Sequence, residues 1–229
     1  MSKKFKLGVV GNPIEHSLSP FIHSRFSRNE NVNINYLAYK INNDDFDIFI
    51  KEFFQDKEAR GLNITLPHKK RAASLEGKIS QEARYINAVN TIFNDKDNLH
   101  LFSTDGAGFI KDIENKKFSL KNKNILIIGA GAAVESILYR VAIAKPMKIT
   151  VINRTIEKAD RLIRKFGNMT KIKSEVNIDK PFDLVINGSS AGLTGDFFPE
   201  ENIPLTSKAY FYDLNYSLTE TPFCKWANE

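Results

Sequence analysis

The chain has 229 residues, which suffices for one large domain or for two domains of roughly 100 residues each. Its hydrophobic fraction of 42% is ordinary for a globular protein, and no stretch reaches the roughly 18 apolar residues that a membrane span requires. The formal net charge of +6 is spread along the chain, without the basic stripe and interleaved aromatic residues of a nucleic-acid-binding surface. We therefore expect neither a membrane protein nor a nucleic-acid-binding protein.

Cysteine and histidine usage indicate the compartment and argue against a metal site. Cys224 is the only cysteine, so the chain cannot form an internal disulfide. The N-terminus, MSKKFKLGVVG, lacks the sustained apolar run of a signal peptide. His16 and His23 have no cysteine or carboxylate partner at metal-ligand spacing. We predict a cytoplasmic protein without a bound metal.

The first predicted elements are a strand and a helix. Residues 5–10 form an apolar run that ends at Gly11-Asn12-Pro13, as expected for a buried strand. Ser19 followed by Pro20 predicts a helix with serine as N-cap and proline at the first position. The apolar face of this helix would carry Phe21, Ile22 and Phe26.

Two strands and a second helix follow. Residues 34–41 alternate like a strand, and residues 61–65 form a shorter strand that ends before Pro67. Between them, Asn43 is predicted to cap a helix. Its apolar side would carry Phe46, Phe49, Ile50 and Phe53. Residues 89–93 and 99–102 flank a polar turn and predict a hairpin.

From about residue 105 onward, buried strands alternate with helices. The predicted strands are 124–128, 148–152, 183–186 and 209–212. The predicted helices are 105–114, one that ends near residue 144, and 156–166. This βαβ series predicts a Rossmann-like, doubly wound parallel sheet. Because the two halves differ in pattern, we predict an α/β protein with domains at 1–104 and 105–229 and a cleft between them.

A glycine-rich turn follows the strand 124–128. Gly129 and Gly131 occupy the first two positions of the dinucleotide-binding fingerprint, whereas Val134 stands at the third. A strand, a glycine-rich turn and a helix together bring backbone amides close to a pyrophosphate at a helix N-terminus. The alternative is that the glycines only make a tight turn.

The end of the next strand indicates which dinucleotide is bound. NAD-specific sites place Asp or Glu there, about 20 residues past the glycines. This chain has Asn153-Arg154-Thr155, with Lys158 one turn later. Arginine can stack on and pair with a 2′-phosphate that a carboxylate would repel, so the pattern favours NADP. The alternative is a solvated basic start of a helix.

Five motifs in order resemble the shikimate dehydrogenase family from about residue 6 to residue 228. They are GLNITLPHK, STDGAGF, GAGAAVES, INRT and YDLNYSLTETPFCKWA. The resemblance implies NADPH-dependent, reversible reduction of 3-dehydroshikimate to shikimate, on the pathway to chorismate and aromatic amino acids. It also implies a shikimate-binding domain at 1–104, an NADP-binding domain at 105–229, and a monomer or homodimer.

The resemblance assigns the substrate site and an acid/base pair. Ser17 and Ser19 would hold the carboxylate of shikimate. Its hydroxyls would contact Asn63, Thr65 and Asn90, and Asp105 and Tyr216 would also contact the substrate. Lys69 and Asp105 would act as the catalytic pair. From the residues alone, Lys69 with Lys70 and Arg71 also fits a solvated basic turn, and Asp105 also fits a helix cap.

The resemblance also assigns the NADP site. Its residues would be Gly129, Ala130, Gly131, Ala132, Ala133, Asn153, Arg154, Thr155, Lys158, Asn187, Ser189 and Leu214. Several positions depart from the family pattern. Ala132 replaces the third glycine of GAGGA, and Gly188 replaces the alanine of NATSSG, which here reads NGSSAGL at 187–193. Asn87 replaces the glycine of GAVNT, and Ser103 replaces the asparagine of NTDGxG.

The family continues for a few dozen residues beyond the position of Glu229. That segment carries a returning helix, a glycine near the nicotinamide and a glutamine on the substrate. Without it, we expect NADP binding with poor shikimate turnover, and lower stability or association. Two alternatives therefore stay open: a paralogue that accepts quinate, and a weakly active or inactive protein that binds NADP or shikimate.

Overall fold

The computed structural model describes residues 4–96, 98–174, 180–189 and 203–229. The chain divides into two compact units, Met1–Thr104 and Asp105–Glu229, and each is built around its own sheet. Among the described residues, no helix is both long enough and apolar enough to cross a bilayer.

The first unit is a six-stranded mixed sheet with helices. In chain order its elements are β1 Phe5–Gly11, α1 Ser19–Asn29, β2 Ile34–Lys40, α2 Phe46–Gln55, β3 Ala59–Ile64, α3 Lys69–Ala72, β4 Lys78–Ile79, α4 Gln81–Ile86, β5 Thr91–Asp95 and β6 Asn98–Phe102. The strand order is β2-β1-β3-β5-β6-β4. β1 is parallel to β2 and β3, and β5 is antiparallel to β3 and β6, which confirms the predicted hairpin.

The core of this unit lies between α2 and the sheet. Phe46, Ile50 and Phe53 on α2 are buried against strand residues that include Leu62 and Ile92. This confirms the apolar face predicted for α2. Full burial of a side chain of this size contributes about 1.5–3 kcal/mol to stability. The three buried side chains therefore hold α2 firmly on the sheet, one edge of which carries the candidate site.

The predictions for α1 were wrong in two respects. Leu18 is at the N-cap position, and Ser19 is already helical and does not cap. Phe21, Ile22 and Phe26 are exposed, with 61%, 41% and 55% of their surface accessible. The physical reason is that α1 directs its polar side towards the sheet: the imidazole of His23 stacks on the ring of Tyr36 at 4.0 Å.

Other local predictions for the first unit were also wrong or missing. Asp45, not Asn43, is at the N-cap of α2, and its side chain makes no capping hydrogen bond. The short elements α3, β4 and α4 were not predicted, because two to six residues are too few for a periodic pattern to be recognised. α4 has a serine cap, since Oγ of Ser80 accepts a hydrogen bond from the N–H of Ala83 at 3.3 Å.

The second unit is a doubly wound parallel sheet, as predicted. Its elements are α5 Asp105–Asn115, β7 Asn124–Ile128, α6 Ala132–Ile143, β8 Lys148–Ile152, α7 Ile156–Phe166, β9 Ile172–Lys173, β10 Phe182–Asn187, β11 Leu205–Asp213 and α8 Pro222–Asn228. The strand order β11-β10-β7-β8-β9 reverses between β7 and β10, which is where open α/β sheets bind ligands. Ile125, Leu126 and Ile127 on the central strand β7 are fully buried.

The two ends of this sheet differ in character. At the amino end of the strands, the carboxylate of Asp183 accepts hydrogen bonds from Nζ of Lys123 at 3.0 Å and from the N–H of Asn124 at 2.9 Å. This contact joins the starts of β7 and β10. The opposite, carboxyl end carries the glycine-rich turn and the loops that follow β8, β10 and β11.

Candidate active site

In the first unit, the predicted substrate residues converge on one edge of the sheet. β1 lies between β2 and β3, so the carboxyl ends of β1 and β3 are adjacent at a topological switch point. The N–H of Thr65 donates to the carbonyl of Val10 at 2.9 Å, which continues the pairing past the end of β3. Asn90 immediately precedes β5, whose antiparallel course starts at this same edge.

Ser17 and Ser19 lie in the turn that leads from β1 into α1. Oγ of Ser17 accepts a hydrogen bond from the N–H of Ser19 at 3.3 Å, so Ser17 satisfies the amide of the first helical residue of α1. Both serines are half-buried. The two hydroxyls therefore stand beside the N-terminus of an 11-residue helix, where the helix dipole favours an anion.

Tyr36 is a member of this site that the sequence did not reveal. Its hydroxyl donates to Oδ1 of Asn63 at 2.8 Å, and the side chain of Ser19 lies close to the same hydroxyl. Burial is the main influence on the phenol and raises its pKa well above the ordinary value, while the Ser19 contact opposes the shift. Only the tertiary pairing could have identified this tyrosine, because an alternating strand offers several such positions.

Asn63 and Asn90 are joined through a threonine. Nδ2 of Asn63 donates to Oγ1 of Thr91 at 3.4 Å, and that hydroxyl donates to Oδ1 of Asn90 at 3.0 Å. Oδ1 of Asn90 also accepts from the N–H of Thr104 at 2.9 Å and from its hydroxyl at 3.1 Å. Tyr36 and these four residues thus form one continuous hydrogen-bonded chain along the sheet edge, and the side chain of Ser19 lies close to its Tyr36 end.

Lys69 is the first residue of α3 and follows the cis Leu66–Pro67 bond. Its carbonyl accepts a hydrogen bond from the N–H of Val89 at 2.9 Å, which ties Lys69 to the segment that carries Asn90. The two neighbouring cations differ in their surroundings. Lys70 is exposed, and Arg71 forms a bidentate pair with Asp47 on α2 at 3.0 and 2.8 Å.

His68 is a second residue that the sequence did not single out. It is fully buried, its Nε2 lies 2.8 Å from the carbonyl oxygen of Ile41, and its ring stacks on Phe46 at 4.7 Å. A carbonyl can only accept, so Nε2 carries the proton. This contact anchors the turn before Lys69 to the end of β2.

Among the described residues, no group of three or more His, Cys, Asp or Glu side chains could hold a metal ion.

In the second unit, the turn after β7 has the geometry of a dinucleotide cradle. Gly129 has φ +107°, and an added Cβ would lie 2.7 Å from the amide nitrogen of Ser189. Among the described residues, a Cβ added at Gly131 would meet no atom closer than the carbonyl oxygen of Gly188 at 4.0 Å, so these residues leave its backbone accessible. The 12-residue helix α6 starts directly afterwards with exposed Ala132 and Ala133. This arrangement fits a pyrophosphate.

The loop after β8 places cations at the N-terminus of α7. Nδ2 of Asn153 donates to the carbonyl of Thr155 at 2.7 Å and shapes the turn. Arg154, Thr155 and Lys158 are exposed. Cations at the positive end of a helix dipole are unfavourable unless an anion is present, so the arrangement fits the 2′-phosphate of NADP.

The loops after β10 and β11 form the other side of the candidate cofactor site. Asn187 is buried, with 1% of its surface exposed, and Ser189 follows at the switch point. Leu214 donates its N–H to the carbonyl of Asn187 at 2.8 Å. Tyr216 is 70% exposed. The rest of the predicted loop, residues 190–193, lies outside the described residues.

Asp105, the other predicted catalytic residue, is half-buried at the first position of α5. It is therefore the first residue of the second unit, whereas Lys69 belongs to the first unit. The alternative interpretation of Asp105 as the N-cap of this helix is wrong by one position, because Asp105 is already the first helical residue.

Comparison with known proteins identifies the family. The sequence model for the shikimate dehydrogenase substrate binding domain matches residues 9–92, and that for shikimate / quinate 5-dehydrogenase matches residues 112–194. A shikimate dehydrogenase (NADP(+)) from Hahella chejuensis is 37% identical over 96% of this chain and 82% of the relative. The protein of that name from Legionella pneumophila Philadelphia 1 is 40% identical over 97% and 83%.

Solved structures agree with the sequence relatives. The crystal structure of shikimate 5-dehydrogenase from Thermus thermophilus, in complex with NADP(H) and shikimate, superposes with a TM-score of 0.85 at 29% identity. The superposition covers 98% of this chain and 84% of that chain. The chain therefore belongs to the shikimate dehydrogenase family of NADP-dependent oxidoreductases.

Proposed function

We propose that this chain catalyses the reversible, NADPH-dependent reduction of 3-dehydroshikimate to shikimate. The observation that carries the proposal is the identity of 37–40% to proteins named shikimate dehydrogenase (NADP(+)) over nearly the whole chain. In the proposal, unit Met1–Thr104 binds the substrate and unit Asp105–Glu229 binds the cofactor. A cytoplasmic location and a monomeric or homodimeric state remain predictions.

The substrate end of the site binds a carboxylate and ring hydroxyls. Ser17 and Ser19 would donate to the carboxylate beside the N-terminus of α1. Asn63, Thr65 and Asn90 would contact the hydroxyls. The hydrogen-bonded chain through Tyr36 and Thr91 supports these roles, because it holds the two asparagine amides in defined orientations. Tyr216 would contact the substrate from the loop after β11.

Bound NADPH supplies the hydride, and the protein must orient both reactants and handle a proton. Lys69 and Asp105 would form the acid/base pair at the substrate oxygen, and the proton belongs to the pair rather than to one member. The pairing of Arg71 with Asp47 supports Lys69 as the catalytic cation of this turn, since the guanidinium of Arg71 already binds a carboxylate on α2.

The cofactor contacts fall into three groups. Backbone amides of residues 129–133 would approach the pyrophosphate at the start of α6. Asn153, Arg154, Thr155 and Lys158 would surround the 2′-phosphate. Asn187, Ser189 and Leu214 would border the ribose and nicotinamide. The first group is supported by Gly131, where no side chain of the described residues stands close enough to keep a phosphate away from the amides.

The test is the change in NADPH absorbance with purified protein, shikimate or quinate, and NADP+ or NAD+. We expect turnover with shikimate and NADP+ and much less with NAD+. Faster turnover of quinate would favour the second candidate, which the shikimate / quinate family match keeps open. Tight NADP+ binding without turnover of either acid would contradict the enzymatic proposal and favour a binding protein.

A further inference from the structure

Asp213 is the last residue of β11, and its carboxylate accepts four hydrogen bonds from described residues at the end of β10 and in the segment after β11. Oδ1 accepts from Nδ2 of Asn187 at 2.9 Å, and from the N–H and Nδ2 of Asn215 at 3.0 and 3.1 Å. Oδ2 accepts from Oγ1 of Thr221 at 2.7 Å. An ionised carboxylate has only acceptor oxygens, so it suits a position on which four donors converge.

The first consequence of this contact concerns the loop after β10. Because Asp213 holds Nδ2 of Asn187, the amide oxygen of Asn187 is directed at Ser189. It accepts from the N–H of Ser189 at 3.1 Å and from its hydroxyl at 2.8 Å. Nδ2 of Asn215 also donates to the carbonyl of Ser189 at 2.9 Å. Asp213 thereby joins the ends of β10 and β11 into one network, to which the backbone of Leu214 is also bonded.

The second consequence concerns the loop that carries Tyr216. Its two ends both meet Asp213: Asn215 bonds to Oδ1 and Thr221 to Oδ2. Thr221 is also the N-cap of α8, since its Oγ1 accepts from the N–H of Cys224 at 3.2 Å. A loop closed at both ends by one side chain loses conformational freedom, which lowers the entropy cost of ordering Tyr216 on a ligand.

We propose that Asp213 is a positioning residue that holds Ser189 and Leu214, on the nicotinamide side, and Tyr216, on the substrate side, in one fixed arrangement. The inference rests on the proposed function for the roles of these three residues. Asp213 itself touches neither reactant in this proposal. Its contribution is the alignment of the two reactants, to which hydride transfer is sensitive at displacements of about 1 Å.

Asp183 provides a matched control within the same unit. Its carboxylate also bridges two neighbouring strands and accepts from a side chain and a backbone N–H, but it lies at the amino end of the sheet. Asp213→Asn and Asp183→Asn therefore both replace a bridging carboxylate with an amide of the same shape. A general loss of sheet stability would follow from either substitution, whereas misalignment of the reactants would follow only from Asp213→Asn.

The experiment compares wild type, Asp213→Asn and Asp183→Asn by thermal unfolding, steady-state kinetics and ligand titration. For Asp213→Asn we expect kcat to fall about tenfold to 100-fold. The primary deuterium isotope effect, measured with NADPH labelled at the transferred hydrogen, should rise towards its limit as the chemical step slows. Affinity for NADP+ should fall about tenfold. Affinity for 2′,5′-ADP, which lacks the nicotinamide half, should stay within twofold of wild type.

Thr221 supplies a milder second variant if Asp213→Asn does not fold. Thr221→Ser keeps the hydroxyl bonded to Asp213 and should retain wild-type kcat. Thr221→Val removes that hydroxyl and should lower kcat, as Asp213→Asn does, but to a smaller extent. Equal losses for NADP+ and 2′,5′-ADP, or the same kinetic effect in Asp183→Asn, would overturn the inference. Turnover of shikimate by the wild type tests the proposed function. The ratio of NADP+ to 2′,5′-ADP affinity tests the nicotinamide-side alignment and needs no turnover, so the two proposals can fail separately.

Discussion

The hydroxyl of Tyr36 donates a hydrogen bond to Oδ1 of Asn63 at 2.8 Å, across strand β1, which lies between β2 and β3. The side chain of Ser19 meets the same hydroxyl, so one tyrosine links α1, β2 and β3. Ser19 and Asn63 are both proposed substrate ligands that come from different parts of the chain. Tyr36 therefore sets the orientation of two binding groups without being one of them.

Tyr36→Phe should weaken shikimate binding. The substitution removes a hydrogen bond worth about 0.5–1.5 kcal/mol, so the KM for shikimate should rise roughly twofold to tenfold. The KM for NADP+ should not change, because no proposed cofactor residue is involved. Tyr39→Phe is the control: Tyr39 is on the same strand but packs against Phe49 and Phe53. An equal rise in both KM values would contradict an orienting role for the hydroxyl.

Lys69→Ala should abolish most turnover and leave shikimate binding within several-fold. An acid/base group typically contributes 10²–10⁴-fold to the rate. Asp105→Asn should also lower the rate, with a larger loss of substrate affinity, because the carboxylate can accept a substrate hydroxyl. Lys70→Ala, at the exposed neighbouring position, serves as the control. If Lys69→Ala keeps a near-normal kcat, the lysine is only part of a solvated basic turn.

Arg154→Asp should change the preference between cofactors. Loss of a charge-assisted contact to the 2′-phosphate costs about 1.5–3 kcal/mol, which corresponds to at least roughly tenfold in NADP+ affinity. Affinity for NAD+ should be preserved, because the new carboxylate can accept from the ribose 2′-hydroxyl. The measurement is the titration of both nucleotides against wild type and variant. Equal affinities of the wild type for NADP+ and NAD+ would refute the assignment.

Glu15 should make the stability of the first unit depend on acid pH. The hydrogen bond from Lys40, followed by backbone contacts, lowers the pKa of the Glu15 carboxyl to about 2. The ordinary pKa of glutamate, about 4.3, applies in the unfolded chain. The stabilisation is therefore present above that value and is lost as pH falls through about 2. Because both side chains are exposed, the effect should also weaken with added salt.

Urea unfolding between pH 6 and pH 3 should detect the effect of Glu15. Glu15→Gln should flatten the dependence of the free energy of unfolding on pH over this range. Glu30→Gln, at an exposed glutamate after α1, controls for the loss of one negative charge. Parallel pH profiles for wild type and Glu15→Gln would contradict the lowered pKa.

The regular elements of the second unit were predictable because their patterns are long. Residues 124–128, 148–152 and 156–166 were predicted with the bounds that the structure has. Hydrophobic periodicity over 5–12 residues, with glycine at the turn, identifies such elements without tertiary information. The predicted caps of α1 and α2 were wrong. Several polar residues near a helix start compete for the capping position, and only tertiary packing selects among them.

Single-residue departures from the family pattern were visible in the sequence, but their reasons were not. Asn87 replaces glycine at the C-cap of α4, where φ is +56°. Glycine adopts this left-handed conformation without strain, and asparagine is the next most tolerant residue. The backbone requirement is therefore kept although the residue differs. Tyr36, His68 and Asp213 could not be identified at all, because their roles depend on partners that are distant in sequence.

Val134 and Gly188 are two departures that the structure links. Val134 is buried and stands where the dinucleotide fingerprint has glycine, and Gly188 stands where the family has alanine. A Cβ added at Gly188 would lie 2.3 Å from Cγ2 of Val134 and 3.1 Å from Cδ1 of Leu214. The larger residue at 134 thus occupies the volume that the missing Cβ at 188 leaves, so the two positions should be energetically coupled.

Gly188→Ala should therefore destabilise the second unit by about 1–3 kcal/mol, the usual range for overpacking. Val134→Ala removes the methyl groups that the new Cβ would strike, so the double variant should lose less stability than the sum of the single losses. We expect a coupling energy of about 1 kcal/mol or more, which urea unfolding of all four proteins would measure. Gly131→Ala is the contrast, since its Cβ would meet no close atom of the described residues: it should weaken NADP+ binding with little change in stability. Strictly additive losses for Gly188→Ala and Val134→Ala would contradict the energetic coupling of the two positions.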